Sequence, residues 1–336
     1  MSKKGVLLIN LGTPNSPSTK DVRIYLTEFL NDPYVIDINW LARTLLVNLI
    51  IVPFRAPKSA KIYKKLWTEK GSPLLCYSQK AQKKLQIELG DSYKVHLAMR
   101  YQNPSMDKVI AEMEKENYDE IIVIPLYPQY ATSSTKTSIE KAKKLFKKWA
   151  TPPIVKYVEH FYNHPLFIDT IIEQAKPFTL SDYDSILFSY HGLPTRQLHK
   201  THPGKTCKEL DCKNSINGTN RYCYQAQCYK TTRLIAEKLN LGEEDYSVGF
   251  QSRLDDKWLK PYSDKLVEQF AQKGKKNLLV FSPAFVADCL ETIIEISDEY
   301  QEIFTNNGGN KLQLVPSLND HPTWISTLKE LVLAHK

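Results

Sequence analysis

The chain has 336 residues, 42% hydrophobic and 24% charged, with a formal net charge of +8 at pH 7. This composition is globular and long enough for two domains. The positive surplus is spread along the chain with no basic block or aromatic–basic interleaving, which argues against a nucleic-acid-binding face and leaves attraction to an anionic surface or small molecule.

The N-terminal "MSKKGVLLINLGTP" starts positive, but its apolar run turns at once into Gly-Thr-Pro. It reads as a first β-strand rather than a signal peptide. With no secretion signal, a cytoplasmic chain with reduced cysteines is expected. The most apolar stretch, "WLARTLLVNLIIVPF" (40–54), is interrupted by Arg43 and Asn48 and is too short for a spanning helix. From pattern alone it reads as a buried helix; the alternative is an apolar lip that touches a membrane or a greasy ligand.

Short, nearly continuous apolar runs predict strands at 5–12, 93–101, 120–128, 153–159, 185–192, 246–252, 277–286 and 311–318. Unbroken apolarity suggests strands covered on both faces. Charged segments with helical periodicity lie between most of them, at 74–89, 104–117, 135–149, 230–240 and 286–305. Alternating strands and helices predict a doubly wound, parallel α/β sheet. The halves echo each other: "NLGTP" (10–14) against "YHGLP" (190–194), and "PLYPQYA" (125–131) against "SPAFVAD" (282–288). Two related α/β domains facing a central cleft are expected: residues 1–160, joined by a C-terminal helix at 320–336, and residues 161–319. Neither G-x-G-x-x-G after a strand nor G-x-x-x-x-G-K-[ST] occurs, which disfavours a nucleoside cofactor.

Three features carry candidate chemistry. Arg55, Lys58 and Ser72 supply charge-assisted donors for carboxylates beside the apolar stretch. His191 ends a predicted strand, where Gly192 and Pro194 turn the chain. It is either a polar cap or a base or metal ligand at the mouth of a cleft. If 286–300 is helical, Asp288, Glu291, Glu295 and Asp298 form one carboxylate stripe. That stripe is either a solvated face or a path for a cation or protons.

Four of the six cysteines crowd into "CKELDCKNSINGTNRYCYQAQC" (207–228). Cys207 and Cys212, like Cys223 and Cys228, have four residues between them. Four thiolates in a short loop suit a [2Fe–2S] cluster or structural zinc, although zinc ribbons more often space each pair by two; no metal at all is the third reading.

The motifs "LLINLGTP", "DVRIYLTEFLNDPYVI", "GSPL", "MRYQNPS", "PLYPQYATSST", "FSYHGLP", "FQSRL" with "WLKPYSD", and "FSPAFVADCLETIIEI" together resemble ferrochelatase over nearly the whole chain. That family inserts Fe2+ into a porphyrin. The resemblance implies two Rossmann-like domains around a porphyrin cleft, with His191 and Glu291 as the essential pair and the acidic path continuing through Asp288 and Glu295. It places porphyrin propionates near Arg55, Lys58 and Ser72, and Leu11, Arg100, Tyr130 and Trp258 along the cleft. Two pyrrole N–H protons must leave as the metal enters, and buckling the ring would expose the nitrogen lone pairs. His191 taking the protons with Glu291 as relay, or His191 delivering iron with Glu291 taking the protons, both satisfy this chemistry. No organic cofactor is required.

The sequence departs from the family at Cys289, where many relatives have histidine; "QSRLDDKWL" is one residue shorter and the spacer before "GSPL" about two longer. One cluster-bearing type of the family has ligands in a C-terminal extension that is not seen after the last helix here, and Thr132 replaces that type's remaining cysteine. A bacterial type with an internal segment matches Cys207, Cys212, Cys223 and Cys228, and implies an accessory [2Fe–2S] cluster. The expected function is iron insertion into protoporphyrin IX, with peripheral membrane contact through 40–54. Coproporphyrin III or another tetrapyrrole as substrate, a non-catalytic haem or metal carrier, and a redox sensor built on the cysteines are the alternatives.

Overall fold

A computed structural model describes residues 3–202 and 204–335 of the chain. Eight strands form two parallel sheets: β1 (Lys4–Gly12), β2 (Tyr93–Tyr101), β3 (Glu120–Pro125) and β4 (Ile154–Tyr157) in one, β5 (Ser185–His191), β6 (Tyr246–Gln251), β7 (Asn277–Phe281) and β8 (Lys311–Leu314) in the other. The first is ordered β2-β1-β3-β4 and the second β6-β5-β7-β8, the same topology repeated. In each, the chain leaves the leading strand in opposite directions, so a topological switch point lies between β1 and β3 and between β5 and β7. The parallel α/β architecture read from the sequence is the one observed.

The strands are buried because helices cover them. Leu7, Ile9, Ile121 and Val123 pack on Ile110 and Met113 of the helix Met106–Glu114 and on Phe146 of the helix Thr137–Phe146. Leu187, Leu278 and Val280 pack on Val267, Ile296, Tyr300 and Phe304 in the same manner. Each such side chain contributes about 1.5–3 kcal/mol by leaving water. Helix starts follow local rules: Ser105 accepts from the Lys108 amide at 3.3 Å, and Pro73 and Pro165 stand in first turns, where no amide donor is needed.

The chain divides into two compact units. One comprises residues 1–127, 132–160 and 325–336, the other 128–131 and 161–324. Within the first, the C-terminal segment is tied by Lys329–Glu88 at 3.0 Å and by Lys156 Nζ donating to the His335 carbonyl at 2.7 Å.

The stretch 40–54 departs from the buried helix the pattern suggested. It joins the following residues in one 27-residue helix, Trp40–Leu66, long and apolar enough to cross a membrane by length and composition. Most of its large apolar residues face outward, Phe54 being 72% exposed, Trp40 68% and Leu49 66%, while Val47 and Val52 are buried. Of the two polar interruptions, Arg43 turns inward and Asn48 stays exposed. Arg43 is buried and donates to the carbonyls of Ile36 and Ile38, and Asn48 accepts from Asn31.

Candidate functional site

In the second unit the site grows from the switch point. β5 ends at His191, and Gly192 follows because the chain there lies against its neighbour. The Gly192 amide donates to the Gln251 carbonyl at 2.8 Å, and a Cβ on Gly192 would sit 2.6 Å from that oxygen and 3.3 Å from the Trp258 ring. Trp258 is fixed beside this turn by a bridge to Pro194. In the first unit Gly12 ends β1 in the matching place, at φ +110°, with the Tyr101 carbonyl 1.9 Å from where a Cβ would stand.

His191 Nδ1 lies 2.6 Å from the Gly192 carbonyl. Only a protonated Nδ1 makes that bond, so the neutral ring carries its lone pair on Nε2. The ring is half-buried, near Phe285. Tyr224 donates to the His191 carbonyl at 2.9 Å and holds the same residue from behind.

The segment after β7 runs as a loop to Cys289, and helix begins only at Leu290. Residues Glu291–Tyr300 wind as a π-helix. Asp288 therefore precedes the helix, and the stripe at α-helical spacing from Asp288 to Asp298 does not form. Asp288 is instead capped by Asn319 at 2.7 Å, the Ser317 amide at 3.2 Å and Thr292 at 3.2 Å. Glu295 accepts from Ser252 (amide 2.8 Å, hydroxyl 2.5 Å), Gln251 at 3.0 Å and Tyr300 at 3.2 Å. Both carboxylates have their lone pairs engaged by protein donors. Glu291 is half-buried in the first turn, and its carbonyl accepts from Gln251 at 3.0 Å. Gln251 thus joins the end of β6 to Glu291 and Glu295, while Ser189 on β5 donates to it at 2.8 Å. Cys289 is buried; burial, then the Glu291 charge and a hydrogen bond to its carboxylate, push its thiol up, which keeps it protonated. Sequence reasoning left Cys289 as either a ligand or a packing group, and gave no role to Gln251, although it lies inside the motif "FQSRL".

Tyr130 also belongs to the second unit. Its amide donates to Gln227 at 2.6 Å, and its ring lies 4.9 Å from that of Tyr222. In the first unit Leu11 is half-buried at the end of β1, beside Asn10, which donates to Ser78 at 3.0 Å. Arg100 is committed internally. Its guanidinium pairs with Asp32, donates to Thr137 at 3.0 Å and lies over the Tyr101 ring. Arg55 and Lys58 are exposed on the long helix next to Phe54. Ser72 differs from them: it is 2% exposed, its hydroxyl lacks a partner among the described residues, and it borders a cavity of about 580 Å³ lined also by Pro14, Trp67 and Asn103.

In the cysteine segment the structure brings together His202, Cys207, Cys212 and Cys223, whose donor atoms all lie within 4.8 Å of one another. The expected fourth ligand, Cys228, falls outside that group. It is fully buried in the helix Tyr224–Leu239, and burial, followed by a hydrogen bond with Tyr224, dominates its surroundings. After Cys223 the chain coils into a helix, which carries Cys228 onto its packed face. Hydrogen bonds from the Cys207 thiol, then that of Cys223, hold the Cys212 thiol well below its usual range.

A family model described as ferrochelatase matches residues 3–336. The chain is 42% identical over 331 residues to a ferrochelatase of Legionella pneumophila, covering 98% of each chain. It is 43% identical over 341 residues to one of Coxiella burnetii, covering 98% of this chain and 93% of that one. Among solved structures, the sirohydrochlorin chelatase SirB of Bacillus subtilis, in forms with cobalt and with Fe3+, superposes with TM-scores of 0.55 and 0.56 at 10% identity, covering 98% of this chain and 94% of the other; this likeness concerns the fold.

Proposed function

The chain belongs to the ferrochelatase family, and we propose that it inserts Fe2+ into protoporphyrin IX with release of two protons, giving protohaem as the last step of haem synthesis. The observation that carries this reading is the family match across residues 3–336 together with His191 at the end of β5, beside the switch point, its Nε2 lone pair free of the Gly192 bond.

In this account Fe2+ and the porphyrin are substrates. His191 Nε2 accepts a pyrrole proton, because its Nδ1 is already committed to a carbonyl. Glu291, with the neutral Cys289 thiol donating to it, supplies the negative charge that steadies the imidazolium and passes protons on. Asp288 and Glu295, each satisfied by neighbouring donors, hold the π-helix and the loop before it in place rather than serving as free iron ligands. Tyr130, Trp258 and Leu11 offer apolar surface to the macrocycle, and Arg55 and Lys58 offer exposed cations to its propionates. Arg100 acts through Asp32 and not by direct contact.

The exposed row Trp40, Leu41, Leu45, Leu49, Ile50 and Phe54, followed by Arg55 and Lys58, supports peripheral contact with an anionic membrane, at the cytoplasmic face, from which a lipid-soluble porphyrin is drawn. The same greasy rim favours the two-propionate protoporphyrin over coproporphyrin III with four. The cysteine segment holds a resident metal distinct from the substrate iron. A [2Fe–2S] cluster is what the family resemblance implies there; three cysteines and one histidine are what the fold supplies.

Anaerobic iron insertion run in parallel on the two porphyrins tests the reading. A kcat/KM at least tenfold higher with protoporphyrin IX is expected. Preference for coproporphyrin III would overturn the substrate assignment, and failure to metallate either would overturn the function.

A further inference from the structure

We propose that the cysteine segment is a mononuclear, zinc-type site held by His202, Cys207, Cys212 and Cys223, and not a binuclear iron–sulfur cluster on four cysteines. Three observations lead there. The first is spacing. A tetrahedral ion with bonds of about 2.3 Å to sulfur and about 2.0–2.1 Å to nitrogen requires sulfur–sulfur edges of about 3.8 Å and sulfur–nitrogen edges of about 3.6 Å. Cys207 Sγ lies 3.7 Å from Cys223 Sγ and 3.5 Å from His202 Nε2, and no pair in the set exceeds 4.8 Å. A [2Fe–2S] cluster divides its four ligands between two bridged irons, so ligands on different irons are separated by the length of the cluster itself. A set this tight encloses one ion.

The second is orientation. His202 is buried, and its Nδ1 lies 2.9 Å from the Lys205 carbonyl, so the proton is on Nδ1 and the Nε2 lone pair faces the thiols. Asn220, fully buried, donates to Cys212 Sγ at 3.4 Å and to the Ser215 carbonyl at 3.0 Å. An amide aimed at a sulfur supports a thiolate bound to metal. The third is the donor set: three thiolates and one imidazole with four-fold closure match structural zinc. Nothing in this arrangement leaves an open coordination position for substrate.

The residues around Cys223 connect this site to the candidate active centre. Tyr224 holds the His191 carbonyl, Tyr222 packs on Tyr130, and Gln227 accepts from the Tyr130 amide while donating to the Arg221 carbonyl at 2.6 Å. The ion therefore positions His191 and Tyr130 through the segment it closes. This positioning role rests on the proposed function; the identity of the site does not.

The test is elemental and sulfide analysis of the intact chain, purified under reducing conditions, and of the variants His202→Ala, Cys212→Ser and Cys228→Ala, with Co2+ exchange as a second readout should a variant fold poorly. One zinc per chain and no acid-labile sulfide are expected, with intense visible bands of tetrahedral thiolate-bound Co2+ after exchange. Cys228→Ala keeps the metal; His202→Ala and Cys212→Ser weaken zinc binding at least tenfold, lower Tm, and reduce kcat more than they raise KM. Two irons and two sulfides per chain, with visible bands bleached by dithionite, would overturn the proposal. So would a Cys228→Ala protein that loses its metal while His202→Ala retains it, or a wild-type chain that binds neither zinc nor cobalt. Because metal is counted directly, these outcomes stand apart from whether the protein inserts iron.

Discussion

His191 donates from Nδ1 to the carbonyl of its own neighbour, Gly192, so its Nε2 is fixed as an acceptor by two consecutive residues of one motif. That economy depends on Gly192, whose missing side chain lets the turn lie against Gln251. Gly192→Ala is expected to lose roughly 1–3 kcal/mol of stability by overpacking. Displacing His191 by even a fraction of an ångström should cost roughly 10- to 100-fold in kcat. Thermal unfolding and steady-state rates measure both; a variant with wild-type Tm and kcat would contradict the close approach. The motif "YHGLP" was legible because a glycine and a proline after a strand-ending histidine constrain the backbone. His202 was not, since nothing in "THPGKTC" distinguishes it from a loop histidine until the fold brings its ring 3.5 Å from Cys207.

At the scale of elements, the period of a helix decided what could be read. The α-helical spacing of Asp288, Glu291, Glu295 and Asp298 suggested one acidic face, but residues Glu291–Tyr300 wind as a π-helix and Asp288 stands before the first turn. Sequence carries no signal for i to i+5 winding, which tertiary bonds such as those of Glu295 to Gln251 and Ser252 secure. Glu295→Ala leaves these donors unpaired and is expected to cost roughly 1–3 kcal/mol, with a fall in kcat because Gln251 also bonds the Glu291 carbonyl. Asp298→Ala, on an exposed residue, should stay within about 0.5 kcal/mol of wild type. Denaturant unfolding of the pair distinguishes them; equal effects would mean that the acidic row acts as a simple surface stripe. The strands were more readable, since parallel strands covered on both faces must be apolar throughout. The outward face of Trp40–Leu66 was less so, because whether Arg43 interrupts it depends on where its guanidinium turns.

At the scale of the molecule, one four-strand topology occurs twice, and each copy sets a glycine turn at the end of its leading strand. The paired motifs "NLGTP" and "YHGLP" carry this repeat in the sequence itself, because the same turn after the same strand calls for the same residue types. The exposed apolar helix carries the proposed membrane contact. Replacing Trp40 and Phe54 together by Glu should abolish co-sedimentation with anionic vesicles and lower the preference for protoporphyrin IX over coproporphyrin III; undiminished vesicle binding would contradict the proposed contact. The central claim is that the chemistry belongs to His191 and Glu291 and not to the cysteine segment. Anaerobic single-turnover iron insertion by Glu291→Gln tests it most directly. A rate lower by at least about 100-fold with porphyrin affinity and the content of the cysteine-site metal unchanged is the predicted result; insertion at the wild-type rate would contradict it.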